Sequence, residues 1–179
     1  QGTKRQRRIA LERRFGSIDV RDIEENVFRL IADRWMLVTA GRKASYNTMT
    51  ASWGTMGELW SVKVAFAFVR PQRYTYGFLN DSGRFTLSFF GEEHREALKY
   101  CGSHSGRDVD KAAETGLTPF SPTDDTVSFR EAELILVCRK IYFQDLDPGN
   151  FLEDWIEECY PEKGYHRMYA GEIEQALRS

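Results

Sequence analysis

The amino-acid sequence predicts a mainly β fold: an antiparallel barrel, closed or nearly closed, with peripheral helices. Three observations lead there. Several short segments alternate in residue character with a period of two, the pattern of half-buried strands. They fall at irregular spacing with short helical patterns between them, and no regular strand–helix alternation points to a doubly wound sheet. Aromatic residues are abundant, with twelve Phe, eight Tyr and four Trp, many of them in those segments. That composition fits an aromatic-lined pocket, and it fits an ordinary β core equally.

Taken in order, the chain starts with a basic stretch from Lys4 to Arg14. It reads as part of a solvated tail over residues 1–22, or as an arm for nucleic acid or another anionic surface. Ile23, Val27, Leu30 and Ile31 stand at helical spacing and predict a helix over 23–32. Trp35 to Ala40 is an apolar run stopped by Gly41, a buried strand. From Asn47 to Trp53 the residues alternate: Thr48, Thr50 and Ser52 share one face, and Met49, Ala51 and Trp53 the other. A row of hydroxyls can meet the rim of a flat, acceptor-rich ligand. Thr is also a good strand former, so a half-exposed edge strand gives the same pattern. Gly54 and Gly57 are expected to bracket a loop. In the strand over 64–69, Val64, Phe66 and Phe68 share a face. Ala65 and Ala67 leave the opposite face shallow enough for a ligand ring or another element to come close.

Pro71 ends that strand because it cannot donate to a ladder. Thr75 is a candidate cap for a helix reaching Leu79. Arg70 and Arg73 beside a helix start make a candidate phosphate site, since guanidinium forks and free amides both favour an anion. Surface arginines flanking a turn fit as well. Residues 85–90 alternate as a strand. Residues 92–100 form a helix ending before Gly102, and Cys101 on its buried stripe is a core thiol. Ser103 to Lys111 is a donor-rich loop that closes over a ligand or merely connects. Asp110 caps a helix over 111–115 that stops at Gly116. Residues 127–129 and 132–143 are expected to pair as a hairpin, with Leu134 to Cys138 the most buried run. A short helix over 151–159, a last strand over 165–173 and a tail over 174–178 complete the chain.

Composition narrows the function. The 179 residues suit one domain, and 41% hydrophobic content supports a core. A net charge of −2 argues against a protein that binds nucleic acid by charge alone. No apolar run approaches the roughly 18 residues of a membrane span. Cys101, Cys138 and Cys159 make no CxxC pair and are odd in number, as expected of reduced thiols in a cytoplasmic protein. The chain begins at Gln1, so a removed targeting segment stays open. His94, His104 and His166 are scattered, which argues against a zinc or iron site.

Five segments, 47–54, 70–75, 85–90, 105–111 and 165–173, together and in this order resemble the flavin reductase family with the FMN-binding split barrel, in its flavoredoxin-like branch. The resemblance runs from about Trp35 to Ile173. It implies a split barrel over 23–179 and a homodimer with noncovalent FMN near the subunit interface. It implies electrons passing from NAD(P)H or a redox carrier, through FMN, to a flavin, metal complex or protein acceptor. The cofactor contacts it implies are Asn47, Thr48, Met49, Thr50, Ala51, Ser52 and Trp53 along the ring and ribityl chain, with Arg70, Arg73 and Thr75 near the phosphate. Ser88 and Phe89 would line the flavin from the next strand. Ser105, Arg107 and Lys111 belong to the loop that would cover it, where His104 is a further candidate contact. His166, where an electron donor would approach, is the single catalytic candidate, and a strand histidine satisfied by a neighbour fits it too. A non-enzymatic flavin carrier or sensor on the same barrel is the alternative.

Overall fold

The computed structural model describes residues 15–179, so the basic stretch from Lys4 to Arg14 lies outside the described residues. The strands are β1 (Gly16–Ile18), β2 (Met36–Arg42), β3 (Ser45–Ala51), β4 (Gly54–Leu59), β5 (Val62–Val69), β6 (Arg84–Phe89), β7 (Pro119–Phe120), β8 (Ser128–Phe129), β9 (Leu134–Asp145) and β10 (Arg167–Arg178). The α-helices are α1 (Tyr74–Asp81), α2 (Arg95–Ser103), α3 (Lys111–Thr115) and α4 (Asp154–Glu158). The main sheet runs β3-β2-β6-β9-β10-β5-β4, with β1 added to β10. All its pairings are antiparallel.

Period-two alternation builds two cores from the same strands. Met36, Val38 and Ala40 of β2, Met49 and Ala51 of β3, Ala65 and Ala67 of β5, and Phe85 and Leu87 of β6 fill the barrel interior. Leu37 of β2 and Ile135 and Val137 of β9 face outward, where Leu98 and Cys101 of α2 and Ala112 of α3 cover them. Burial among these apolar neighbours pushes the Cys101 thiol up to about 11, so it is inert packing, as expected.

Several local readings hold in detail. The Asp110 carboxylate accepts from the amides of Ala112 and Ala113, and α3 stops at Gly116, whose φ of 70° is left-handed. Others need correcting. Gly54 to Leu59 is a strand, not a loop, paired with β5 from Gly54↔Ala67 to Leu59↔Val62. A Cβ on Gly54 would stand 2.8 Å from the Phe66 carbonyl oxygen, so glycine is what lets the chain turn from β3 into β4. The expected helix over 23–32 shortens to a π-helical turn, Arg29–Asp33. Gly102 lies within α2, not past its end, and faces Thr50. Residues 128–129 pair with β7, while β9 pairs with β6 and β10, so the expected hairpin does not form. The expected terminal tail is the second half of β10. Part of the expected N-terminal tail also has a place: Gly16–Ile18 pairs with Ala176–Arg178, and Ile18 and Val20 pack on the interior core.

Candidate functional site

Strand β3 hydrogen-bonds on one side only, to β2, and β5 carries β4 on its outer side. Between them the barrel is open. Met49, Thr50, Ala51, Ser52 and Trp53 form one wall of a cleft of about 240 Å³; Phe68 and Arg70 form the other, and Arg73 and His166 close its ends. No carboxylate lines it. Beyond Arg73 a polar hollow of about 220 Å³ continues, bordered by Asn47, Gln72, Thr75, His104, Ser105, Arg107 and Lys111. Past Ser52, Trp53 and Phe68, in the other direction, lies an apolar hollow of about 840 Å³, with Phe28, Ile31, Trp155 and Tyr160 among its lining.

The two arginines differ. Arg70 is held: its Nη2 donates to the Cys159 carbonyl at 2.8 Å, and its guanidinium lies 5.2 Å from the centre of the Tyr160 ring. Arg73 is not held. Among the described residues its Nη2 is the one side-chain polar atom that is sealed from solvent without a hydrogen-bond partner. Burial, and then the charge of Arg70, pull its pKa down. A half-buried cation near another cation, with one sealed and idle donor, is what an anion would relieve. Arg73 also stands at the N-cap of α1, whose first amides have no side-chain cap.

The hydroxyl reading of β3 is corrected. Alternation does place Thr48 and Thr50 on one face, but that face is covered. Thr48 Oγ1 shares a hydrogen bond with Thr39 Oγ1 at 2.8 Å, and Thr50 Oγ1 donates to the Leu98 carbonyl of α2. Thr50 still borders the cleft, as does Ser52. Thr48 borders not the cleft but a polar hollow with Lys43 and Tyr74. Ser88 and Phe89 are fully buried and line no cavity described here: Ser88 Oγ pairs with Ser128 Oγ at 2.8 Å, and Phe89 fills the barrel. The shallow Ala65 and Ala67 face points into the barrel interior, where the core that includes Phe85 fills it. Thr75 caps nothing. It sits inside α1, and its hydroxyl accepts from Asn47 Nδ2 at 2.7 Å.

Lys111 is buried, and its Nζ donates to the carbonyls of Thr48 and Cys101, both at 2.8 Å. It thereby ties β3 to the end of α2, and burial lowers its pKa to about 8. Arg107 stacks on Tyr74, 4.6 Å from the ring centre. The Ser105 hydroxyl accepts from the Arg107 amide. His104 stacks on Tyr100 with centroids 3.8 Å apart. His166 packs against Trp53, and its Nδ1 lies 2.8 Å from the Tyr160 hydroxyl. Burial, then the Arg70 charge, hold His166 down to about 4, so its ring is neutral near pH 7. Sequence reasoning missed Phe68, Gln72 and Tyr160. Phe68 carried a signal, being two residues before Arg70 on an alternating strand; Tyr160 carried none.

An antiparallel barrel left open along one seam, with a basic slot in that seam, defines a split-barrel protein. The chain belongs to the flavin reductase like domain family, whose model matches residues 28–177. Flavoredoxins are among the solved structures with a similar fold. Flavoredoxin from Methanosarcina acetivorans superposes with a TM-score of 0.64 at 22% identity, over 82% of this chain and 68% of that one. An FMN-binding protein from Thermus thermophilus, solved with p-hydroxybenzaldehyde, gives 0.66 at 18% identity, over 92% and 82%. The NADH:FAD oxidoreductase SgcE6 from Streptomyces globisporus C-1027 gives 0.60 at 18%, over 81% and 75%. Comparison with curated proteins by sequence finds no match. No helix among the described residues is long and apolar enough to cross a membrane.

Proposed function

We propose that this protein is an FMN-dependent oxidoreductase that takes electrons from NAD(P)H or a redox carrier and passes them to a flavin, a metal complex or a protein. The observation that carries this reading is Arg73: a sealed, unpartnered guanidinium nitrogen at the junction of a narrow cleft and a polar hollow. The residues fit the group. Arg73, with Arg70 beside it and the uncapped start of α1, would hold the phosphate. The ribityl chain would run along β3 between ring and phosphate, and Asn47 and Ser105, in the polar hollow beyond Arg73, would meet the phosphate's remaining oxygens. The backbone and side chains of Met49 to Trp53, with Phe68 opposite, would flank the ring. When bound, FMN supplies the hydride and single-electron chemistry. The chain's own part is to orient it, exclude water and present His166 and the apolar hollow to the second reactant. No described side chain in the cleft is needed as an acid or base.

FMN held noncovalently, a homodimer that brings a second subunit near the cleft, and a cytoplasmic setting belong to the same proposal. So does a single barrel domain over 23–179. The purified protein is expected to be yellow, or to take up added FMN. Anaerobic NADH or NADPH then bleaches the flavin bands. A colourless protein that ignores FMN refutes the reading. Uptake of FMN with no reduction by either nucleotide or by a reduced carrier protein makes it a flavin carrier instead.

A further inference from the structure

We propose that Tyr160 fixes His166 as a hydrogen-bond donor aimed into the cleft, so that His166 holds an acceptor oxygen of the second reactant and moves no proton. The assignment rests on counting hydrogens. Tyr160 is 3% exposed, and its O–H needs an acceptor in that dry site. The partner within reach is His166 Nδ1 at 2.8 Å. No other acceptor lies within hydrogen-bond reach of that O–H among the described residues, so its hydrogen goes to the imidazole. Nδ1 therefore accepts. A neutral imidazole that accepts at Nδ1 carries its hydrogen at Nε2.

Nε2 has no protein partner among the described residues. It is also absent from the sealed, unpartnered atoms, of which Arg73 Nη2 is the one found. It is therefore reached from outside, and His166 borders the cleft. Two contacts keep the ring in place: Trp53, 4.9 Å away between centroids, and Tyr160, edge-on at 5.5 Å. The titratable and charged groups around it are Arg70 and Arg73, which line the same cleft, and Tyr160 and Tyr165, the last bonded to Glu157. None is a carboxylate in contact with the imidazole, so nothing nearby stabilises an imidazolium. A neutral N–H beside an apolar hollow suits a carbonyl or amide oxygen on a largely apolar body. It does not suit an anion, which Arg73 is better placed to take.

The role of the acceptor oxygen rests on the flavin reading; the tautomer does not. The test is long-range ¹H–¹⁵N correlation of the histidine rings in the full chain at pH 7, before and after FMN is added. His166 is assigned by the signal lost in His166→Gln. Wild-type protein is expected to show one neutral tautomer, protonated at Nε2, in both states. Tyr160→Phe is expected to turn this into a mixture of both tautomers. A dominant Nδ1–H form in the wild type overturns the proposal, and so does an unchanged His166 signal in folded Tyr160→Phe. Should that variant fail to fold, the wild-type spectrum alone decides. Failure to bind FMN in the same samples counts against the flavin reading and leaves the tautomer result standing.

Discussion

Replacing Arg73 by Met separates a binding role from a structural one, because the two roles predict opposite signs. Met keeps the aliphatic stem that fills the seam and removes the charged head. In the ligand-free protein that head holds a sealed nitrogen without a partner and faces the charge of Arg70. A buried polar group left unpaired costs about 1–3 kcal/mol. Arg73→Met is therefore expected to leave ligand-free stability unchanged or to raise it by up to about that amount, read from urea midpoints. FMN affinity moves the other way. Losing a charge-assisted contact costs on the order of 1.5–3 kcal/mol, which is roughly a 10- to 100-fold rise in Kd by flavin fluorescence titration. Riboflavin, which lacks the phosphate, is expected to bind variant and wild type alike. Equal FMN affinity in the two proteins, or a large loss of stability with affinity kept, refutes the reasoning.

Three further outcomes are expected. Asp110→Ala removes the oxygen that takes both the Ala112 and Ala113 amides, and the thermal transition falls by the equivalent of about 0.5–2 kcal/mol. Gly171→Ala places a Cβ 2.6 Å from both Cys138 Cβ and the Phe85 ring, and unfolding free energy drops by about 1–3 kcal/mol in urea. Lys111 titrates at about 8 in the folded protein against an ordinary 10.5, so between those values the unfolded chain binds more protons. Its contribution is present in full above 10.5 and is lost as pH falls through about 8. The stability of wild type relative to Lys111→Met therefore rises across that window, by up to about 3 kcal/mol, and a flat difference refutes the shift.

What the sequence disclosed is what short-range chemistry decides. Asp110, Lys111 and Gly116 fix the ends of α3 within one helical turn, and a cap and a left-handed stop are legible without a fold. Alternation in β3 was legible for the same reason: a strand's two faces follow from its backbone. Which face meets a ligand was not legible. That is decided when α2 lands on Thr50 and β2 presents Thr39 to Thr48, contacts 9 to 48 residues apart in sequence. The strand β4 was hidden because Gly54 and Gly57 carry no pattern, and its pairing with β5 is what orders it. The partners of β9 lie some 50 residues before it and some 30 after it, beyond any local signal. Arg70 and Arg73 were legible as an anion site by residue type. That one is satisfied and the other idle is a tertiary fact.

The seam explains why the site forms where it does. Every strand of the sheet between β2 and β5 is paired on both sides, which leaves its backbone groups satisfied. On β3 the edge away from β2 is unpaired, and one carbonyl of this strand, that of Thr48, is taken by Lys111. Farther along, residues 49 to 53 line the cleft. A flat ligand with donors and acceptors along its rim can complete such an edge as a neighbouring strand would. Its charged end then reaches Arg73, whose Nη2 is the one sealed side-chain polar atom that the described fold leaves without a partner. The edge and the idle guanidinium are separately costly features, and a single ligand of that shape relieves both.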